Sequence, residues 1–350
     1  MKKITKYLRP FVQPSLAIML SLLVGAVVIA IANENPLEIY RIMFRGAFGS
    51  QYYLLTTLNR ATPIIICGLG AAIAWSSNLM GIGGEGQMIM GGFTCAIVAY
   101  YLPGPPALKI LAAVVASLLV GGLYSALSAW LLEKFEMSLA ISTLMLNYVA
   151  HYFTMHFVSN VFLNTVGDRK LIQTELLDPS VYIPKIFEGY TLHYGFVIAL
   201  ALVILMWWMN RSTVFGYETR MTGYNINFCN YGGVRGRKIM YAVLFLSGSI
   251  CALAGVGEVL GNQYRYIHNS YVSTSYAWIG LNAALISNYN PLGVLLTSII
   301  LAGIQTGGAS IARSTSIPIE ISQVIQGCVT LFISAKIIIN LSKNRKKVSK

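Results

Sequence analysis

The sequence predicts an all-α protein, a polytopic membrane bundle of about ten transmembrane helices, some of them broken. Hydrophobic residues make up 56% of the 350 residues and charged residues only 11%, whereas an average soluble domain carries about 25% charged residues. The apolar residues also form long runs, and a helix of about 20 residues crosses a bilayer core of ~30 Å. The mean hydropathy of +0.64 agrees with an integral membrane protein.

Ten apolar runs define the predicted spans. They lie near residues 14–32, 61–77, 82–102, 107–132, 138–160, 191–209, 239–260, 275–289, 291–310 and 318–341. The first could be a signal peptide, but it is longer than the usual ~7–15-residue apolar core, so we expect a retained span. The eighth and ninth are short and meet at Asn290-Pro291, where proline cannot continue the helical hydrogen-bond ladder.

The distribution of Lys and Arg predicts the orientation. With the N-terminus inside, the inner segments hold 15 basic residues and the outer segments hold 9. Because cytoplasmic loops carry an excess of basic residues, both termini are expected in the cytoplasm. Residues 33–60 and 161–190 are then external segments and 211–238 is a cytoplasmic loop. The chain 1–350 is predicted to be one transmembrane domain, multi-pass in the cell membrane.

The composition also restricts partners and chemistry. The net charge of +13 could suggest nucleic acid, but the basic residues gather at loops and termini, so we expect the lipid bilayer as partner and no nucleic acid. The five cysteines and four histidines form no metal-ligand pattern, and no metal is predicted. No phosphate loop, hydrolase motif or redox motif occurs. We therefore expect no enzyme and no cofactor, with any ATP bound by other chains.

The glycine-rich stretch NLMGIGGEGQMIMGG, residues 78–92, contains one carboxylate, Glu85. An unpaired carboxylate in hydrocarbon costs at least a few kcal/mol, so Glu85 needs a partner or water. The glycines before it predict a helix break, with Glu85 in the first turn of the third span. Glu85 either caps this helix and ties two spans together or contacts a solute. The residues assigned to this break are Gly83, Gly84, Glu85 and Gln87.

A polar stripe runs through ISTLMLNYVAHY, residues 141–152. Thr143, Asn147 and His151 are four residues apart, so they share one helix face. Such a stripe either hydrogen-bonds neighbouring helices or lines a watery path, and both interpretations stay open. Asn282 adds a polar group late in the chain. These four residues are the translocation-path candidates.

Two further features are a short helix predicted on the inner side of the bundle and a similarity between two stretches of the chain. In the loop 211–238, NINFCNYGGV predicts a short helix ended by Gly232 and Gly233, either in a solvated loop held by lipid headgroups or as a docking helix for a cytosolic partner. Separately, GLGAAIAWSSNLMG at 68–81 aligns with GLNAALISNYNPLG at 280–293 at a constant offset, which suggests an internal repeat.

Several stretches resemble the permease subunits of nucleoside-type ABC importers, in the ribose and branched-chain amino-acid permease superfamily. They are GIGGEGQMIMGG, ISTLMLNYVA, GYETRMTGYN, LSGSICALAGVGEVLG and NPLGVLLTSIILAGIQTGG, in family order. The resemblance implies an ABC-importer permease for a nucleoside or related small polar solute, with a simple sugar possible. It implies three partners: a second homologous permease, giving a heterodimer or a homodimer; cytosolic ATP-binding subunits; and an external substrate-binding lipoprotein.

The resemblance also assigns the loop 211–238 to ATPase coupling. Gly223 and Asn225 occupy the family's G-x-N positions, and Arg235 and Arg237 are coupling candidates because their charges could complement an acidic partner. The sequence departs from the family where Gly81 replaces an asparagine and Ser138-Leu139 replaces Asn-Glu. The alternative is a secondary transporter or channel not powered by ATP, which would need a titratable or ion-coordinating cluster at the bilayer midplane.

Overall fold

The structure is a computed structural model that describes residues 23–27, 29–30, 35–164, 171–314, 324 and 327. Within these ranges the regular elements are helices, with two isolated β-bridges and no strand. The helices are α1 (Pro36–Phe48), α2 (Gln51–Ser76), α3 (Gly84–Tyr101), α4 (Pro106–Phe135), α5 (Leu139–Asn160), α6 (Gly195–Ser212), α7 (Val214–Tyr224), α8 (Ile226–Tyr231), α9 (Gly236–Glu258), α10 (Ser270–Thr274), α11 (Tyr276–Ile286) and α12 (Pro291–Ser314). A 3-10 turn covers Pro179–Val181 and a π-helical turn covers Val259–Gln263.

The all-helical class predicted from the sequence is confirmed. Five described helices are long and apolar enough to cross a membrane: α2, α4, α6, α9 with its π-helical turn, and α12. Helices α3 and α5 lie at two further predicted spans and are 18 and 22 residues long. The predicted spans at 14–32 and 318–341 lie largely outside the described residues.

Two boundaries differ from the sequence prediction. The span predicted at 61–77 begins earlier, because α2 starts at Gln51 inside the segment 33–60, which also contains α1. The predicted span at 275–289 contains only the 11-residue α11. At ~1.5 Å per residue this helix is far too short to cross a ~30 Å bilayer core by itself. The predicted break at Asn290-Pro291 is confirmed, since α12 begins at Pro291.

The described chain divides into two compact units. One contains the described parts of 1–57 and 299–350, and the other is 58–298 without its undescribed residues. In the first unit, α1 begins at Pro36 after Asn35, whose side chain accepts the N–H of Leu37 at 3.1 Å. This is an N-cap that satisfies one free amide at the helix start. The helix buries Ile39 against Ile311.

In the second unit, α3, α4 and α9 pack closely through small residues. A methyl group on Gly121 of α4 would lie 2.8 Å from the carbonyl oxygen of Gly248 in α9. One on Gly255 of α9 would lie 2.7 Å from the amide nitrogen of Gly92 in α3. Small residues let helix backbones approach one another, which is a common way for membrane helices to associate. The glycines therefore set the spacing of this three-helix core.

The two similar stretches noted in the sequence meet in space. Gly68 of α2 and Gly280 of α11, which correspond in the alignment, lie directly against each other. A Cβ on Gly280 would be 2.8 Å from the amide nitrogen of Gly68. Both helices then end close to a shared cavity, which Ser76 and Asn288 help to line. The repeat itself stays a prediction, but its corresponding glycines form this helix crossing.

The described part of the segment 161–190 packs on the chain that follows α9. The amide of Thr174 donates to the carbonyl of Tyr266, and that of Leu177 donates to the carbonyl of Tyr264, both at 2.9 Å. The rings of Tyr182 and Tyr264 stack with their centres 3.9 Å apart. This segment is therefore an ordered cover over residues 260–268, held by backbone hydrogen bonds.

Candidate functional site

The glycine-rich stretch before α3 is held by the polar stripe of α5. The hydroxyl of Thr143 accepts the N–H of Ile82 at 2.9 Å. The side chain of Asn147 donates to the carbonyl of Ile82 at 2.9 Å and accepts the N–H of Gly86 at 2.8 Å. Amides at the start of a helix lack partners within that helix, so α5 supplies them here. The stripe thus binds a neighbouring helix start, one of the two roles that its spacing allows.

Glu85 lies in the first turn of α3, as the sequence predicts. The N-cap residue is Gly83, which provides no side-chain cap. The carboxylate of Glu85 accepts the indole N–H of Trp278 at 2.9 Å, and Trp278 lies in the first turn of α11. Glu85 therefore ties α3 to a helix far away in sequence, while its negative charge lies near the positive end of the α3 dipole.

A cavity of about 230 Å³ opens beside this contact. Its wall includes the side chains of Glu85, Asn147, Tyr148, His151, Tyr152 and Trp278. Tyr148 is 56% exposed and Tyr152 is 63% exposed, so both rings are available to a bound molecule. With Asn269, which also lines the cavity, one carboxylate, two amides, one imidazole and three aromatic groups meet at a single opening.

His151 also contacts the segment that precedes α10. Its ring centre is 4.3 Å from that of His268. Burial, and next the neighbouring His151 ring, lower the pKa of His268 below its usual value. Both effects disfavour the charged form of the His268 imidazole.

The other path and break candidates lie elsewhere. Thr143, Gly83, Gly84 and Gln87 line a small void of about 20 Å³ beside α9. The amide oxygen of Gln87 is buried and has no hydrogen-bond partner among the described residues. Asn282 is half-buried on α11 and does not line the 230 Å³ cavity. Asn147 and His151 are thus the two path candidates that the fold brings together.

The sequence analysis did not select Tyr148, Tyr152 or Trp278. Tyr148 directly follows Asn147, and Tyr152 directly follows His151. The polar stripe was defined by polar side chains and so did not include these two aromatic residues. Trp278 becomes relevant only through its contact with Glu85, 193 residues away. No local pattern in the sequence indicates that contact.

The coupling candidates lie around α7, α8 and the start of α9. A Cβ on Gly223 would be 2.6 Å from the carbonyl oxygen of Ser76, so α7 packs directly on the end of α2. Asn225 separates α7 from α8, and α8 confirms the short helix predicted in NINFCNYGGV. It ends in a turn with Gly233 at φ 81°, a left-handed conformation that glycine adopts readily.

The two arginine candidates have different surroundings. Arg235 is exposed at the N-cap of α9. Arg237 forms an ion pair with Glu133 near the end of α4. The hydroxyl of Tyr241 donates to the same carboxylate at 2.5 Å. Arg237 therefore links α9 to α4, whereas Arg235 forms no ion pair with a described residue.

Comparison with known proteins identifies the family of this chain. Residues 53–334 match the model of the branched-chain amino acid transport system / permease component family. The chain belongs to this family. As a permease component it is a multi-pass membrane protein and a subunit of an ATP-driven ABC importer, which confirms the resemblance seen in the sequence.

Individual relatives of this permease extend over nearly the whole chain. It is 28% identical to the guanosine ABC transporter permease protein NupP of Bacillus subtilis, with 98% of this chain and 99% of the relative covered. It is 26% identical to the nucleoside permease protein NupB of Lactococcus lactis, covering 98% and 95%. It is 25% identical to the glucose permease protein TsgB13 of Haloferax volcanii, covering 91% and 86%. A solved inward-facing ABC transporter aligns over 95% of this chain and 98% of its own, with 16% identity and a TM-score of 0.47; the family assignment rests on the sequence match.

Proposed function

We propose that this permease forms part of the translocation path for a nucleoside or a related small polar solute. The observation that carries the proposal is the 230 Å³ cavity beside Glu85 and Trp278. Aromatic rings stack on nucleobases, a contact worth ~1–3 kcal/mol per base in proteins that bind single strands. The polar groups of Glu85, Asn147 and His151 could pair with the edges of a base or the hydroxyls of a sugar.

The backbone beside the cavity supports this assignment. Asn269 and Ser275 both adopt left-handed conformations, with φ of 67° and 54°. They flank the five-residue α10, and Ser275 separates it from α11, so the helical path is discontinuous there. Irregular backbone at membrane depth is tolerated where protein or a water-filled cavity covers it, and many transporters place their solute sites at such breaks.

The names of the relatives narrow the class of solute. NupP is named for guanosine and NupB for nucleosides, and both match nearly the full chain. TsgB13 is named for glucose, which makes a simple sugar the second candidate. The three aromatic groups of the cavity favour a nucleobase, since a planar base can stack on them. The path is therefore proposed to accept nucleosides in preference to simple sugars.

A second homologous permease is the proposed membrane partner. This chain matches both NupP and NupQ of Bacillus subtilis, and both NupB and NupC of Lactococcus lactis. Two similar permeases within one organism support a heterodimer. A homodimer of this chain would also supply a pair of permease subunits.

The remaining partners are proposed from the permease family and from the absence of a phosphate loop in the sequence. ATP would be bound and hydrolysed by separate cytosolic subunits that contact residues 211–238, where Gly223, Asn225 and Arg235 lie. A substrate-binding lipoprotein would deliver solute from the opposite side. Both termini would be cytoplasmic, as the distribution of basic residues predicts. The permease then needs no cofactor of its own, and a self-powered carrier is the less supported alternative.

Uptake by the reconstituted importer tests the proposed solute and path. Proteoliposomes with the assembled complex and ATP inside should accumulate labelled guanosine in preference to glucose. Tyr152→Leu should lower guanosine uptake about tenfold, which corresponds to ~1.4 kcal/mol of lost stacking.

Tyr100→Leu is the matched control, because Tyr100 is a partly exposed tyrosine that does not line the cavity. It should keep uptake at the original level. Equal losses of guanosine uptake in both variants would contradict the proposed path. Preferential uptake of glucose would identify a simple sugar, and not a nucleoside, as the solute.

A further inference from the structure

A cavity of about 500 Å³ lies apart from the proposed solute path. Its wall comes from the end of α2, the end of α6, the helix α7 and the turn before α12. Two guanidinium groups, Arg211 and Arg220, line it, and its described wall contains no carboxylate. Neither arginine forms an ion pair with a described residue. The cavity therefore has a net positive wall that suits an anion.

Aromatic side chains hold part of this wall in place. The guanidinium carbon of Arg211 is 5.5 Å from the ring centre of Trp207, one helical turn earlier in α6, which is a cation–π distance. The indole of Trp75 donates to the carbonyl of Gly81 at 2.8 Å and meets the ring of Tyr289 edge to face at 6.1 Å. Tryptophan and tyrosine concentrate at the boundary between hydrocarbon and headgroups.

The position of the cavity along the helices agrees with that boundary. Helix α2 ends at Ser76, α6 ends at Ser212 and α12 begins at Pro291, and all three are apolar enough to span a membrane. About 20 apolar residues span the hydrocarbon core, so the ends of such helices lie at its boundary or beyond it. The wall segments are also those that the predicted topology places on the cytoplasmic side, where anionic lipids give the leaflet a negative surface potential.

Amide side chains add uncharged donors to the two cations. Asn78, Asn210, Asn288 and Asn290 line the same cavity. Asn78, Asn288 and Tyr289 hold left-handed backbone conformations, with φ of 60°, 49° and 64°. Non-glycine residues adopt this region at a cost, and such residues cluster at ligand sites. The wall thus offers both charge and amide hydrogen bonds to an anion with several oxygens.

We propose that this cavity binds the phosphate group of an anionic phospholipid from the cytoplasmic leaflet. Guanidinium groups pair with phosphate oxygens through charge-assisted, often bidentate hydrogen bonds. Basic pockets between membrane helices suit such headgroups. Because Arg220 and Gly223 belong to α7, a bound headgroup would also fasten α7 to the end of α2. The site is independent of which solute the importer carries.

Lipid binding to the purified full chain tests this site. Native mass spectrometry should show phosphatidylglycerol retained in preference to phosphatidylcholine with the same acyl chains. Each basic residue near an anionic surface contributes roughly fivefold in affinity. R211Q/R220Q should therefore weaken phosphatidylglycerol binding about 25-fold. R211K/R220K, which keeps both charges, should retain most of it and also shows whether the cavity tolerates substitution.

The matched control is K134Q/K238Q, which removes two exposed basic residues from the same predicted side but outside the cavity. It should keep the preference for phosphatidylglycerol. Equal retention of the two lipids by the unmodified chain, or equal losses in both glutamine variants, would overturn the site. If excess inorganic phosphate displaces the lipid, the cavity does bind a phosphate group. Free phosphate would then be the ligand, and the proposal of a lipid would be wrong.

Discussion

At the scale of single residues, the hydrogen bond from Trp278 to Glu85 makes a testable prediction. Glu85→Gln keeps an oxygen that can accept the indole N–H, so abundance and thermal stability should stay near the original. Glu85→Leu removes the acceptor of a hydrogen bond whose donor, Trp278, is 37% exposed, so the loss should cost ~0.5–1.5 kcal/mol. Membrane abundance and the melting temperature of the purified chain, measured for both variants, check this.

Trp278→Phe is the control for Glu85, because it keeps a ring but removes the donor. Adding Glu85→Leu to Trp278→Phe should cost little more than Trp278→Phe alone, since the hydrogen bond is already absent. If both Glu85 variants keep full abundance and both lose uptake, Glu85 acts on the solute, and its structural role is wrong.

The close approach of α9 to α3 gives a second prediction for a single residue. A methyl group on Gly255 would overlap the carbonyl oxygen of Met88, so Gly255→Ala should destabilise the chain by ~1–3 kcal/mol. A methyl group on Gly257 has no heavy atom within 4 Å. Gly257→Ala should therefore be neutral or slightly stabilising, since alanine favours the helix more than glycine. Thermal unfolding of both variants in detergent is the measurement.

At the scale of helices, the two arginines at the start of α9, Arg235 and Arg237, are expected to have different roles. Arg237→Glu would replace the ion pair with Glu133 by two like charges and should lower stability only slightly, because exposed ion pairs are screened by water and contribute little. Arg235→Glu should keep stability but weaken the response of ATP hydrolysis to loaded binding protein, if this loop docks the ATPase. ATPase activity and melting temperature of the reconstituted complex separate the two effects.

Restoring the ion pair provides the check on this reasoning. Glu133→Arg combined with Arg237→Glu should recover part of the stability that Arg237→Glu alone loses, since Glu133→Arg also removes the acceptor of the Tyr241 hydroxyl. Full ATPase stimulation in Arg235→Glu would show that this charge takes no part in coupling. Gly223 is a poorer probe of docking, because any side chain there would meet the carbonyl of Ser76 and disturb the packing of α7.

At the scale of the whole molecule, the orientation in the membrane is the remaining prediction. Asn225 is exposed between α7 and α8, so a cysteine there can react with reagent on its own side. In intact cells an impermeant thiol reagent should miss Asn225→Cys and label Glu188→Cys, which is exposed in the segment predicted to be external. Four native cysteines are buried, which favours a low background. Strong labelling at residue 225 alone would reverse the topology.

The sequence by itself determined the membrane class, the family resemblance and the local helix signals. Composition and run length predict a helical membrane bundle because hydrocarbon cannot satisfy an exposed backbone. The short α8 and the break before Pro291 follow from glycine and proline, whose effects are local. The spacing of Thr143, Asn147 and His151 correctly predicted one helix face but left its partner open.

Only the tertiary structure decided what those residues contact. Thr143 and Asn147 meet a backbone stretch about 60 residues earlier in the chain, and Glu85 meets Trp278 193 residues later. The length of α11 could not be predicted from the sequence either. An apolar run favours a helix but does not indicate where that helix begins and ends. The 500 Å³ cavity joins four separate segments. Such features depend on contacts between distant residues, which no local pattern of hydropathy or spacing encodes.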